Sequence, residues 1–553
     1  MIQLEGGVAA APFAAMMAAF VAATVLLGIY GYRHTRDSQG FLLGREKTNS
    51  AVIALSYGAT FLSASAIIGF GGQAAIHGMG LMWLCFLNLF LGLFVAFVVF
   101  GKRVRRMGRS LGASTFSELL GGIYGSRAIR AFAAAIILIM MPIYCAAVLK
   151  GGVNSIAVIT GAGEYYNVIL IVLAVLVGMY VAYGGIIAVM YNDALQAGIM
   201  LAGMAVILAV TYYTLGGVHA ANSGLSDLWG TAISDPSLYT RSPGFNGWTS
   251  MAGFGTPEWL TLVTTFTLGV GIGALTQPQL VVRFMSARDD RTINKSLMIG
   301  SVFIFVIVGA AYTIGPLTNL YFFERYGETA INVQLGTDFI IPAFILDVFS
   351  GVRFGDVFVS LFLLALTCAA ISTLSALMHT IGSAGGHDML ALWRGRGGLA
   401  GREGGSVRVN RACTAMAMVL VVVYCYLMPS DIIAKATSLF MGVTAATLLP
   451  MFAHGLYSKR PDRRAAMASA AAGAASYLFW ALFVNAGSSV FLPVCRWITG
   501  RQVLFSGGIE CVDALMVALP VSAAAMAALL LLSRARRARE ASPEASPDPR
   551  GGR

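Results

Sequence analysis

Long apolar stretches separated by short polar loops recur along the whole chain and predict an all-α membrane protein with about thirteen transmembrane helices. The predicted spans are residues 9 to 32, 50 to 77, 79 to 101, 129 to 151, 164 to 184, 189 to 216, 257 to 282, 296 to 322, 356 to 386, 410 to 428, 431 to 455, 464 to 485 and 510 to 533. Two of them carry glycine-rich interruptions, Ala59 to Gly72 and Thr267 to Pro278. Inside a bilayer an interrupted helix frees backbone groups that need partners, so it persists where it lines a cavity or binds something. One such helix opening each half of the chain points to a transporter of inverted repeats with a site near the membrane midplane. Glycine-rich spans are also common as close-packing surfaces, and that reading stays open.

Composition agrees with a polytopic protein: 58% of residues are apolar and 11% are charged, against about 45–50% and about 25% in soluble domains. The formal net charge of +12 follows topology. With the N-terminus outside, roughly 30 of the basic residues fall in inner loops and the C-terminal tail, as the positive-inside rule requires. Lys102, Arg103, Arg105 and Arg106 are one such group, and Lys459, Arg460, Arg463 and Arg464 another. Scattered over separate loops, they do not form a nucleic-acid surface. No basic residue precedes the first span, whereas Arg33, Arg36, Arg45 and Lys47 follow it, so it is expected to remain as an anchor.

The soluble parts are small. Gly217 to Glu258 is expected outside as a loop with short helical pieces, and the basic tail 534–553 is expected to be cytoplasmic and disordered. No segment is long enough for an ATPase domain, so transport must draw on an ion gradient. Five cysteines lie in apolar spans. Cys495 and Cys511 bracket an outer loop, where a disulfide and free thiols both remain open. The chain is expected not to be an enzyme: its histidines lack metal-ligand spacing, and His379 and His387 are expected at the inner membrane interface.

A third signal is the run Leu366 to Thr380, with adjacent hydroxyls at Ser372 and Thr373. Sodium, a small hard cation, prefers oxygen. These two hydroxyls, the carbonyl of Ala369 one turn earlier and carbonyls of the first broken helix would make a site without a carboxylate, hence weak and reversible. The competing reading is that the hydroxyls bond back to their own helix or join neighbouring helices.

The run Gly184 to Gln196, Gly-Gly-Ile-Ile-Ala-Val-Met-Tyr-Asn-Asp-Ala-Leu-Gln, resembles a motif of the sodium:solute symporter family, which includes proline, pantothenate, acetate, glucose and sialic acid symporters. Gln277-Pro278, Arg283-Phe284 and Ala370-Ile371-Ser372-Thr373 support the resemblance. It implies a leucine-transporter-type five-plus-five inverted repeat. The first half would be 50–216 and the second 257–455, with the anchor and first inner loop (1–49) before them, the outer loop 217–256 between them and two peripheral helices (456–533) after. It also implies Na+ as coupling ion, held by the carbonyls of Ala59, Leu62 and Ala369 and the hydroxyls of Ser372 and Thr373. Phe61 stands where some relatives carry an Asp, and Asn192 stands where a Thr is usual; the Asn-Asp pair resembles the pantothenate branch.

Asp193 has two readings: an acid at the N-terminal end of its helix, stabilised by the macrodipole, or part of a sodium release path, which the resemblance suggests. Asp431 and Lys435 are expected to form a helix pair or to snorkel, with a substrate role for Lys435 as the alternative. By position the substrate would meet Thr60, Ser63, Asn88, Thr267 and Gln73, and no arginine is expected at the midplane. So few polar groups speak against a sugar. A small monocarboxylate or pantothenate is the first choice, an amino acid such as proline the second. A transporter-like sensor without transport is a third reading.

Overall fold

The computed structural model describes residues 10–35, 37–44, 48–235, 237–239, 242–333, 336–350, 352, 354–393, 406–428, 433–491 and 493–541. Its described regular structure is helical, with a single isolated bridge between Thr48 and Ala287. Eleven helices are long and apolar enough to cross a membrane. Gly163–Thr214 takes in the two predicted spans 164–184 and 189–216, and Ser65–Leu111 takes in the span 79–101 with the second half of the span 50–77, whose first half is the separate short helix Ser50–Phe61. Within Gly163–Thr214 the chain kinks at Gly185, where φ is 60° and ψ −157°. A Cβ there would lie 2.9 Å from the carbonyl oxygen of Phe41, so both conformation and space require glycine.

Burial separates a centre from a periphery. The most apolar windows of Gly355–Met389 and Ile433–Tyr457 are 83% buried, against 11% for Ala11–His34 and 22% for the last helix. Helix Gly355–Ser383 packs along Tyr166–Thr214 and Arg127–Thr160, while Arg463–Phe483 packs chiefly against Ala514–Ala541. The last two are joined by reciprocal bonds: Ser469 Oγ donates to the Ser522 carbonyl (2.8 Å) and Ser522 Oγ to the Ser469 carbonyl (2.9 Å).

Both expected interruptions exist, but neither lies at its glycines. The first helix ends at Phe61, with Leu62 leaving helical geometry (φ −94°, ψ 83°). The second breaks at Gln277 (ψ 115°), and Pro278 begins the next helix, as its preset φ and missing N–H suit it to do. The glycines are packing contacts. A Cβ on Gly72 would stand 1.9 Å from the Thr337 carbonyl oxygen, and one on Gly273 2.5 Å from Met441 Cβ. Helix Thr337–Val348, which the span pattern does not anticipate, is what the first glycine cluster admits.

The stretch Gly217 to Glu258 contains a 17-residue helix, Val218–Ser234. It also caps the first broken helix, because Trp248 Nε1 donates to the Ala75 carbonyl (2.9 Å). The C-terminal tail departs from expectation: the last helix continues to Ala541, since Ser-Arg-Ala-Arg-Arg-Ala-Arg-Glu is rich in good helix formers. Cys495 and Cys511 are free thiols. Asp431, residues 394–405 and the tail end (542–553) lie outside the described residues.

Candidate functional site around the first helix break

Where helix Ser50–Phe61 stops, its last backbone bond runs from Leu62 N to the Gly58 carbonyl (2.8 Å). A continuous helix would next satisfy the carbonyls of Ala59 and Thr60. Here side chains from helix Gly355–Ser383 do so. Ser372 Oγ donates to the Ala59 carbonyl at 2.9 Å and lies 3.2 Å from that of Ala369; Thr373 Oγ1 donates to the Thr60 carbonyl at 3.0 Å. Ala59, Ala369, Ser372 and Thr373 thus converge in a buried cluster, and Leu62 is buried at the break itself. Two hydroxyls and the freed carbonyls form a neutral, oxygen-only donor set, which suits a hard monovalent cation.

Asp193 lies beside this cluster. It is eight residues past the Gly185 kink and fully buried, beyond the first turn where the macrodipole acts. The reading as an N-terminal helix acid is therefore wrong. Its partner is Arg283, on the helix after the second break: the guanidinium lies 2.8 Å from Asp193 Oδ2 and donates to Ser56 Oγ at 2.9 Å, as well as to Thr60 Oγ1 and the Gln279 carbonyl. Asp193 also accepts from Ser56 (2.7 Å), Thr60 (3.2 Å) and, through Oδ1, Ser375 (3.3 Å). The pair ties both broken helices to the helices of Asp193 and Ser372. Sequence reasoning expects no midplane arginine and leaves Asp193 without a partner; the cost of one acid and one arginine in apolar surroundings is the signal that joins them.

The five residues nominated for substrate have different partners. Thr60 turns its hydroxyl to the Asp193–Arg283 pair. Ser63 accepts from Tyr144 Oη (3.2 Å) and from the Ser65 amide (3.0 Å), and Tyr144 stacks on Phe440 with ring centroids 5.2 Å apart. Gln73 reaches Thr337 at 3.4 Å, and Thr267 bonds back to the Leu262 carbonyl at 2.9 Å. Asn88 is buried, and its Oδ1 has no partner among the described residues. Tyr144, and Gln277 at the second break, whose Nε2 donates to the Gly273 carbonyl and to Thr444 Oγ1 (both 2.9 Å), are polar groups that span-by-span reading passes over.

Charged contacts join distant parts of the chain elsewhere. His77, ending the first broken helix, meets Glu258, at the start of the second. Elsewhere Arg130 bonds Asp388 (2.9 Å), and His387 bonds Glu118 (2.9 Å). His387 is buried within the protein, as is His379, which lies 2.9 Å from the Phe41 carbonyl. Burial alone would raise the pKa of Glu118, but the hydrogen bond and charge of His387, with Arg130 and the Ser114 amide, bring it below the usual 4.5.

The structure resembles that of a Na+-coupled sialic acid symporter in its substrate-bound outward-open state, with a TM-score of 0.66 at 16% identity over 93% of this chain and 95% of the other; this likeness establishes the fold. In sequence, a sodium/pantothenate symporter of Haemophilus influenzae (strain ATCC 51907 / DSM 11121 / KW20 / Rd) is 23% identical over 82% of this chain and 88% of its own length. The high-affinity proline transporter of Bacillus subtilis (strain 168) is 25% identical over 85% and 91%. A sodium/pantothenate symporter of Escherichia coli (strain K12) is 27% identical over 53% of this chain, and that match spans 58% of the relative. Residues 41–473 match the profile of the Sodium:solute symporter family. With its fold and more than half of its length in agreement, the chain belongs to the Sodium:solute symporter family.

Proposed function

We propose that this protein imports a small monocarboxylate or pantothenate together with sodium, by alternating access between the two sides of a cell membrane. The observation that carries the reading is the meeting of Ser372 and Thr373 with the carbonyls freed at the first break. Sodium would be held by the carbonyls of Ala59, Leu62 and Ala369 and the two hydroxyls, and Asp193 would lie on its release path. The helices would be arranged as halves 50–216 and 257–455, with the N-terminus outside and the C-terminus in the cytoplasm. The chain would move its solute unchanged rather than catalyse a reaction.

The substrate would lie near Ser63 and Tyr144, with Gln73, Asn88 and Thr267 further out. Thr60 fits the ion path better, because its hydroxyl faces Asp193. Arg283 is fully engaged, so a substrate carboxylate would be met by helix amide ends and hydroxyls. The pantothenate relatives support this choice. The proline relative supports the alternative of an amino acid.

The test is a thermal-shift screen of carboxylates, vitamins and amino acids on the purified protein, in sodium and in potassium. A solute that stabilises only with sodium, and is taken up by proteoliposomes only along a sodium gradient, is the expected result. Full replacement of sodium by protons would refute the coupling ion. Sodium-dependent binding without uptake would indicate a sensor.

A further inference from the structure

Two adjoining clefts of about 760 Å³ and about 530 Å³ open between the start of helix Arg463–Phe483 and the later part of helix Ala514–Ala541, at an end of the bundle rich in basic residues. Both include Asp462 and Ser533 in their walls. Six exposed cations, Lys459, Arg460, Arg463, Arg464, Arg534 and Arg536, line them, and none of the six forms an ion pair among the described residues. Asp462 accepts the backbone amides of Arg464 (2.9 Å) and Ala465 (3.2 Å), capping its helix. One turn from Arg536 the wall becomes apolar: Leu529 and Leu532 line the larger cleft, and Leu532 is 57% exposed on the helix face that continues toward the bilayer.

A basic rim directly above leucines matches an amphiphile with an anionic head and hydrocarbon tails. A soluble anion would use only the rim. We propose that this cleft binds an anionic phospholipid, with its phosphate among Arg463, Arg464 and Arg536 and an acyl chain along Leu529 and Leu532. Such a lipid would hold together the basic ends of the two peripheral helices, whose like charges otherwise repel. This site lies away from the first helix break and does not depend on which solute is carried.

Native mass spectrometry of the full-length protein tests the proposal, with phosphatidylglycerol, phosphatidylcholine and free glycerol phosphate as probes. The wild type should retain phosphatidylglycerol in preference to phosphatidylcholine. At about fivefold per cation near a membrane surface, the triple variant Arg463→Ala/Arg464→Ala/Arg536→Ala should lose affinity on the order of 100-fold. Arg463→Lys/Arg464→Lys/Arg536→Lys should keep the preference, and so should Arg127→Ala/Arg291→Ala/Lys295→Ala, which removes the same charge from exposed positions elsewhere. The proposal is overturned if the wild type shows no preference for phosphatidylglycerol, or if the alanine triple binds it unchanged. It is equally overturned if the lysine triple or the distant triple loses it, or if free glycerol phosphate binds as well as the lipid.

Discussion

The Asp193–Arg283 pair offers the sharpest test of how the broken helices are held. Asp193 is 0% and Arg283 1% exposed, so neither charge has water to turn to. Replacing Asp193 with leucine leaves the guanidinium facing neutral acceptors only: Ser56, Thr60 and the Gln279 carbonyl. Removing one partner of a buried pair costs about 3–5 kcal/mol, a shift of a few hundred- to a few thousand-fold in the folding equilibrium. Arg283→Met should cost a similar amount by stranding the carboxylate. The double variant Asp193→Leu/Arg283→Met strands neither charge and should recover most of the loss, since apolar replacement of a whole buried pair is often neutral. Unfolding midpoints in mixed detergent micelles for the four proteins complete the cycle. Uptake should stay absent in the double variant, because Thr60 and Ser375 lose the carboxylate they bond beside the proposed ion site. Additive single costs would show that the pair is not coupled as the structure has it. Restored uptake would show that it only supports the fold.

Other consequences are equally direct. Ser372→Ala/Thr373→Ala should raise the sodium concentration for half-maximal uptake about tenfold or more, equivalent to ~1.4 kcal/mol, and abolish sodium-induced thermal stabilisation while leaving inserted protein; unchanged sodium dependence would remove the proposed site. Gly72→Ala should lower the yield of monodisperse protein sharply, because the Thr337 carbonyl 1.9 Å from the new Cβ is backbone and cannot rotate away; wild-type elution and thermal stability would contradict the packing. Because folding lowers the pKa of Glu118 below 4.5, its contribution is complete above that value and lost as pH falls through the folded pKa. Hydrogen-exchange protection factors in helix Phe116–Tyr124 should therefore fall below about pH 4.5 in the wild type and show less pH dependence in Glu118→Gln; identical profiles would mean that the carboxylate does not hold this helix.

The membrane-spanning character of the long helices was readable because crossing a bilayer imposes a length and an apolarity that few other structures need. The contact of Ser372 and Thr373 with the break was also foreseeable, because adjacent hydroxyls on a buried helix and freed carbonyls on another complement each other. The glycines misled. Gly72 and Gly273 look like breaks in one dimension, yet their role appears only when Thr337 and Met441 approach from distant parts of the chain. Leu62 and Gln277, where the helices actually stop, carry no strong local mark apart from Pro278. The partner of Asp193 was hidden for a similar reason: Arg283 is 90 residues away, and charge balance, not spacing, connects them. The burial of His379 and His387 was not legible because apolarity along the chain does not report the helices that cover them.

The hydroxyl bonds across the first break have a further consequence for turnover. If sodium binds there as proposed, its departure need not leave the Ala59 carbonyl unsolvated, since Ser372 can donate to it, and it frees Thr373 to donate to the Thr60 carbonyl. Loading and release then become an exchange of one set of oxygen partners for another, with little penalty on either side. Such a protein would keep helix Gly355–Ser383 stitched to the first break throughout the cycle, and its empty form could reset without admitting water to the gap.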